Sequence, residues 1–467
     1  MKMWSGRFRQ PLDPDFERWQ RSFPFDCCLL PHELEASCAH ARALEQAGVL
    51  SPEELAEILR GLEQIGEKAQ KDAAFLRDQE AEDVHHFVEK QLVALIGETG
   101  YKLHSGRSRN EQIATDLRLY VRAAIDELHA ELADWLNVLL LRAQNAGDAS
   151  MPAYTHTQRA EPVLVAHWLL AYVEMFLRDA ERLTDCRVRL NVCPLGSGAV
   201  AGATLALDRG ALAADLGFDA PTANSIDCTS DRDFVLEFVQ ALSVLALHLS
   251  RWAEEMILFS TQEYGFISLP EAFSTGSSAM PQKKNADLLE LVRGKAGRVA
   301  GAATTLLITV KGLPLAYNKD LQETQEPLFD AARTILSIVP LVSAWMKEAE
   351  FDSERMQSAA QSGFMNAWAA ATYLVKRGVP SRLAHEAVGK AVKLCLERNC
   401  ELQDLRLEDL REIHPAFDHD VYETLKLAAV LAIHNVEGGT APGQVKQAIQ
   451  RAELRIAHLR GEVHVHA

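Results

Sequence analysis

Apolar side chains recur at spacings of three and four along three long stretches of the sequence. Ile113, Leu117, Val121, Ala124, Leu128, Leu132, Trp135 and Leu139 form the first row. Phe234, Phe238, Leu242, Leu245, Leu249, Trp252, Met256 and Phe259 form the second, and Leu289, Val292, Ala296, Val299, Ala303, Leu306 and Val310 the third. This spacing puts each row on one face of a helix. At 1.5 Å per residue, a helix of about 28 residues is about 42 Å long. Helices of that length are stabilised by packing along one another, so the pattern predicts a bundle of near-parallel helices. Val235, Val239, Ala241, Val244 and Ala246 widen the second row beyond a single seam. We expect that surplus apolar face to pack against sister chains in an oligomer.

The flanks read as shorter helices. One opens at Ser51-Pro52-Glu53-Glu54, where Ser51 caps, Pro52 takes the first helical position and Glu54 closes a capping box. Beyond about residue 360, Pro380-Ser381, His414-Pro415 and Gly438-Gly439 separate short helical runs. Strand signals are few, and there is neither a Rossmann glycine fingerprint nor a P-loop. The expected class is mainly α. A chain of 467 residues calls for two or three domains. We expect a mainly helical N-terminal domain at 1–108, a central long-helix bundle at 109–360 and a small helical C-terminal domain at 361–467.

Composition narrows the function. A net charge of −17 argues against nucleic acid or an anionic membrane as partner, while leaving room for a small basic pocket. No uninterrupted apolar run approaches the roughly 20 residues of a membrane span. The opening Met1-Lys2-Met3-Trp4-Ser5-Gly6-Arg7 has no apolar core, so no secretory signal is expected. The 8 cysteines include no C-x-x-C pair, and Cys27 and Cys28 are adjacent. That scatter favours free thiols in a reducing cytoplasm over disulfides or a metal site. The tail Val463-His464-Val465-His466 reads as a frayed terminus.

Four polar islands interrupt the helical rows, each read as lying near a helix end, where free N–H groups suit carboxylates. His104-Ser105-Gly106-Arg107-Ser108-Arg109-Asn110 is an ordinary capped loop in isolation; functionally, Arg109 offers a carboxylate two parallel hydrogen bonds, with Ser108 and Asn110 beside it. In Tyr154-Thr155-His156-Thr157-Gln158 a lone histidine is more often structural. Here Thr155 and Gln158 surround it, Pro162 marks the next helix start, and Glu290 is a candidate carboxylate partner. Imidazole titrates nearest neutrality and so suits proton transfer. The third island, Gly276-Ser277-Ser278-Ala279-Met280-Pro281-Gln282-Lys283-Lys284-Asn285, crowds hydroxyls, amides and two ammonium groups into one loop ahead of a helix. A Gly-Ser-Ser alone would be a plain surface loop; the longer string can surround a developing anion. The fourth is Tyr317-Asn318-Lys319-Asp320-Leu321-Gln322.

Taken in order, the four islands resemble the argininosuccinate lyase family of the fumarase/aspartase superfamily, across essentially the whole chain. Trp4-Ser5-Gly6-Arg7-Phe8, the string from Ser225 to Phe234, and Tyr317 to Glu323 separate it from fumarases, aspartases and adenylosuccinate lyases. The resemblance implies reversible, cofactor-free and metal-free cleavage of argininosuccinate to arginine and fumarate. It also implies a cytoplasmic homotetramer with a twenty-helix core and active sites assembled from three subunits. By position, Ser277 would be the base, and Thr155 and His156 would contact substrate, with His156 paired to Glu290. Lys283 and Asn285 would stabilise the dianionic intermediate. Ser22, Ser108, Arg109, Asn110, Arg232, Tyr317 and Gln322 would hold substrate, with Asp83 near the arginine moiety.

Three positions depart from the family pattern. Ala286 replaces the usual proline, Glu111 the usual aspartate, and Gln325 a substrate-contacting lysine. The last opens a rival reading, a C–N lyase of the same fold acting on another N-substituted aspartate. A non-catalytic structural protein like delta-crystallin and a purely binding helical scaffold are further rivals. The first is opposed by the intact Ser277, Lys283, His156 and Glu290, and the second leaves four islands unexplained.

Overall fold

The computed structural model describes residues 10–78 and 80–461. The Trp4–Phe8 motif and the histidine-bearing tail lie outside them. The chain is mostly helical. Among the helices that precede the long ones are α1 (Leu30–Gln46), α2 (Pro52–Lys71) and α3 (Val84–Ile96). The long helices are α4 (Arg109–Asn145), α5 (Val165–Leu190), α6 (Asp233–Ser260), α7 (Asp287–Val310) and α8 (Gln325–Glu348). Shorter ones follow, among them α9 (Ala367–Lys376) and α10 (Ser381–Arg398).

The chain divides into two compact units. One comprises 1–128, 182–243 and 297–335; the other comprises 129–181, 244–296 and 336–467. Each of the five long helices therefore contributes residues to both units.

The helical rows sit where their spacing put them. Every residue of the α4 row and of the α6 row is buried, as are Leu289, Val292, Ala296, Val299 and Leu306 of α7. In the second unit Trp135, Trp252 and Trp345 interlock edge to face, with ring centroids 5.2 and 5.4 Å apart. Helix α2 starts as expected: Ser51 Oγ accepts from Glu54 N at 3.2 Å, and Glu54 Oε2 accepts from Ser51 N at 3.0 Å. In the second unit, α9 and α10 close a separate apolar cluster around Leu374, Ala384, Val388 and Phe417. All eight cysteines are free thiols.

The surplus apolar face of α6 is taken up within the chain only in part. Val235, Val239, Ala241 and Ala246 are buried, while Leu247 and Leu258 on the same helix stay 53% and 38% exposed. Apolar surface is also left open on α7, where Leu291 and Ile308 are 60% and 62% exposed. Between them, nothing lies within 4 Å of where a side chain would begin at Gly294, Gly297 or Gly301. Thr304, Thr305 and Thr309 bond back to Ala300, Gly301 and Thr305 carbonyls at 2.9–3.1 Å. Their hydroxyls are thus satisfied within the helix.

Two helical stretches, 233–260 and 319–348, are long and apolar enough by length and composition to cross a membrane. Half or more of their most apolar windows is buried in the protein, as core helices require.

Candidate active site

The first unit gathers the residues expected to hold substrate. Asp83 caps α3 by accepting from His86 N at 2.7 Å, and its other oxygen accepts from Arg109 Nη1 at 2.8 Å. Glu82 lies 3.6 Å from the same guanidinium and 3.9 Å from Lys319. Arg109 opens α4. Ser108 Oγ accepts from Asn110 N at 3.3 Å, while Ser108 N donates to Glu111 at 2.9 Å. Glu111 is thus a helix-start acceptor, a role in which its extra methylene reaches back to the cap. Ser22 is buried and donates its own N–H to the Glu82 carbonyl at 2.9 Å.

Arg232 immediately precedes α6 and is 2% exposed. Its Nη1 donates to the Asp231 carbonyl at 2.7 Å, while Nε and Nη2 have no partner among the described residues. Burial pushes its pKa down to about 10. Arg118 pairs with the neighbouring Asp231 carboxylate, so that anion is already engaged. Burial raises the Tyr317 phenol; Arg232 opposes it, Asp83 and Glu82 add to it, and Arg109 opposes it again. Those five groups therefore share one electrostatic neighbourhood. Gln322 Nε2 donates to the Gln20 carbonyl at 3.1 Å. Gln325, at the start of α8, is 4% exposed, and its Oε1 has no partner among the described residues.

The second unit carries the residues expected to move protons. Strands β1 (Ser150–Thr155) and β2 (Gln158–Leu164) pair antiparallel, with Thr155 opposite Gln158. His156 and Thr157 form the two-residue turn with φ of 53° and 59°, as a tight hairpin requires. The sequence reading put a helix start at Pro162. Instead Pro162 sits inside β2 opposite Pro152, and the helix begins at Val165. The hairpin presents Thr155 and His156 at an exposed tip.

The loop from Ser277 to Lys283 is closed by another small pairing. Strand β3 (Thr275–Gly276) runs antiparallel to β4 (Lys284–Asn285), with Thr275 opposite Asn285 and Gly276 opposite Lys284. Ser277 and Lys283 thus stand at the two feet of one loop. Ser277 Oγ accepts from Ala279 N and Met280 N at 3.3 and 3.1 Å. Asn285 Nδ2 reaches Thr275 Oγ1 and the Gly276 carbonyl at 3.4 and 3.5 Å. Thr275 Oγ1 donates to Asp287 at 2.6 Å, anchoring the loop to the first turn of α7. Lys284 Nζ is taken up by the Leu269 carbonyl at 3.0 Å, whereas the exposed Lys283 makes no side-chain bond among the described residues. Glu290 is exposed on the first turn of α7. No ion pair joins it to His156 among the described residues.

Sequence reasoning missed Glu82, Asp231 and Arg118. Glu82 adjoins Asp83 just before a helix start, a signal that was available. Arg118 lies within the apolar row of α4, where nothing local marks it.

A lyase family model matches residues 6–301, and an argininosuccinate lyase C-terminal model matches 364–432. The argininosuccinate lyase of Koribacter versatilis is 59% identical over 467 residues, covering all of both chains. That of Acidobacterium capsulatum is 58% identical, covering 99% of this chain and 97% of the relative. Among solved structures, an EDDS lyase variant with bound fumarate superposes with a TM-score of 0.85 at 27% identity, covering 97% of this chain and 92% of that one. On this full-length similarity, the chain belongs to the argininosuccinate lyase family of the fumarase/aspartase superfamily.

Proposed function

We propose that this chain cleaves argininosuccinate reversibly to L-arginine and fumarate, with Ser277 removing the proton beside the carboxylate. C–N lyase activity in arginine biosynthesis follows from the family. The observation that carries the residue assignment is the β3–β4 pairing, which brings Ser277, Lys283 and Asn285 to one loop base. The abstracted proton is poorly acidic because its carbanion forms beside an ionised carboxylate. Catalysis must therefore stabilise an extra negative charge in a site closed to water. Lys283 supplies a positive charge without an intramolecular partner among the described residues, and Asn285 supplies amide donors. Ser277 is an inherently weak base, so loop closure and the Lys283 charge have to activate it.

The departing guanidinium nitrogen regains a proton from His156 or from a water it orients. We assign the partner subunit's Glu290 to pair with that imidazole, because both groups are exposed and unjoined in one chain. Arg232, with two buried donors, receives a substrate carboxylate; Arg109, Ser108, Asn110, Tyr317, Gln322, Gln325 and Ser22 complete the holding set. Asp83, beside Glu82, faces the cationic arginine end. The elimination moves no net electrons and calls for no cofactor or metal.

The open α7 face supports a homotetramer. Glycines at 294, 297 and 301 permit close helix approach, and Leu291 and Ile308 supply apolar contact. A twenty-helix core, active sites shared among three subunits, domains at 1–108, 109–360 and 361–467, and a cytoplasmic location complete the reading. The test is to supply purified protein with argininosuccinate and, separately, with other N-substituted aspartates, and to measure fumarate and amine. Equimolar fumarate and arginine from argininosuccinate alone supports the assignment. Preference for another aspartate overturns it, and no fumarate from any substrate would leave a crystallin-like structural role.

A further inference from the structure

The first unit contains a second ionisable cluster that the chemistry above does not use. Glu33 on α1, His85 on α3 and Asp116 on α4 are all buried, with one ligand atom from each lying within 4.8 Å of the others. His85 Nδ1 is 2.7 Å from Glu33 Oε2 and 3.6 Å from Asp116 Oδ2. Glu33 also accepts from Ser37 Oγ at 2.7 Å and Gln112 Nε2 at 3.2 Å, with Arg107 Nη2 at 3.8 Å. Asp116 differs: neither oxygen accepts a hydrogen bond from a donor among the described residues, and its side-chain partner is the Glu33 carboxylate. An ionised carboxylate in that condition is strongly disfavoured, and two carboxylates in one dry pocket do not both ionise.

The cluster adjoins the substrate-holding groups through the backbone. His85 follows Asp83 by two residues on the helix that Asp83 caps, and Asp116 lies two turns along α4 from Arg109. It therefore ties together the two helix starts that present the Asp83–Arg109 pair. We propose that Glu33, His85 and Asp116 share a single carboxyl proton, held on Asp116, and that this neutralised cluster positions Asp83 and Arg109 for substrate. The positioning half rests on the proposed function; the proton-sharing half does not.

Electrostatics agree with the geometry. Burial, then the Glu33 charge and the side-chain hydrogen bond to Glu33, hold the Asp116 carboxyl well above its ordinary range. Burial would raise Glu33 too, but His85 and Arg107 outweigh it and hold Glu33 ionised. Burial would lower His85, but Glu33 outweighs it, so the imidazole stays protonated more readily than usual. Other facing groups come from each neighbouring element. Burial pushes His40 and His104 down to about 3 and about 4, leaving both neutral. Asp26, which accepts from Val84 N at 3.1 Å, is raised to about 7 by burial and then by Asp83. Arg107 and Arg109 supply the fixed positive charge.

The convergence of three ligand atoms also resembles a cation site. Arg107 beside Glu33, together with the three hydrogen bonds Glu33 already has, opposes that reading.

Asp116→Asn tests the proton directly, because an amide copies the shape of a protonated carboxyl. Asp116's folded pKa lies above its unfolded value. Its contribution to stability is therefore complete below the unfolded pKa of about 3.9 and is lost as pH rises toward the folded value. The variant lacks that loss, so its Tm relative to the parent should climb from acid to neutral pH. Glu33→Gln, which removes the anion that His85 and Arg107 face and so redistributes the cluster's charge, should raise KM by about tenfold or more with a smaller change in kcat. An Asp116→Asn protein that is less stable than the parent at neutral pH overturns proton sharing. So does a parent whose Tm rises with added zinc and falls with chelator. An unchanged KM in a folded Glu33→Gln protein overturns the positioning role. The Tm comparison uses no substrate, so failure of the lyase assignment would be seen separately, as absence of fumarate from the parent.

Discussion

Arg232→Met should stabilise the free protein while disabling it. The guanidinium is buried with Nε and Nη2 unpartnered among the described residues, and burial pushes its pKa down to about 10. That displacement corresponds to about 3 kcal/mol against the charged form, at about 1.4 kcal/mol for each pH unit. Neutral pH lies below both the ordinary and the folded value, so the penalty is present in full and is relieved only as pH rises past the folded pKa. Methionine keeps an apolar stem in the same space and removes the charge. It forfeits the bond to the Asp231 carbonyl, a loss of about 1 kcal/mol. The net expectation is a gain of about 2 kcal/mol, read as a raised Tm without ligand. On the substrate side, two charge-assisted hydrogen bonds contribute about 1.5–3 kcal/mol each. Their loss should lower kcat/KM for argininosuccinate by about two to four orders of magnitude. Thermal unfolding of the free protein and steady-state fumarate release measure the two effects. A variant that is less stable than the parent and retains kcat/KM within about tenfold would refute the reasoning, because Arg232 would then be a structural arginine.

Ser277→Ala should fold and assemble normally yet lose at least about a hundredfold in kcat; retention of more than about a tenth of activity means another group is the base. Gln325→Lys should lower KM for argininosuccinate by up to about tenfold, since a charge-assisted bond replaces a neutral one. A large rise in KM would mean the pocket is built around the neutral amide, and no change would mean Gln325 does not touch substrate. Leu291→Glu, on the open α7 face, should dissociate the oligomer in analytical ultracentrifugation while leaving helical circular dichroism intact. An unchanged sedimentation coefficient would place the interface elsewhere.

The long helices were legible because burial imposes a period: every residue of the α4 and α6 rows is buried as the spacing required. The α2 start was legible for a different reason, since Ser51, Pro52 and Glu54 satisfy the free N–H groups locally. The β1–β2 hairpin was not, because Ser150 to Leu164 lacks the glycine or asparagine turn that usually marks one. His156 and Thr157 adopt positive φ instead. Which helix faces meet sister chains was not legible for a related reason. Part of the apolar width on α6 is buried inside the chain while Leu247 and Leu258 stay open, and periodicity alone cannot tell which neighbour covers a face. The Glu33–His85–Asp116 cluster was invisible because its members lie on three helices and meet only in the folded unit. Of the site, the four islands were plain in the sequence and Glu82 was readable from its place beside Asp83, whereas the Arg118–Asp231 pair emerged only from the geometry.

The central claim is that one active site draws His156 and Ser277 from different subunits. Its most direct test mixes inactive His156→Asn chains with inactive Ser277→Ala chains, with subunit exchange verified by mass spectrometry. Random assembly into tetramers leaves roughly a quarter of sites with neither substitution. Fumarate release from argininosuccinate should therefore return to roughly a quarter of the parent rate. No recovery after complete exchange would mean that both residues serve the same site from one chain, and the shared-site account would fall.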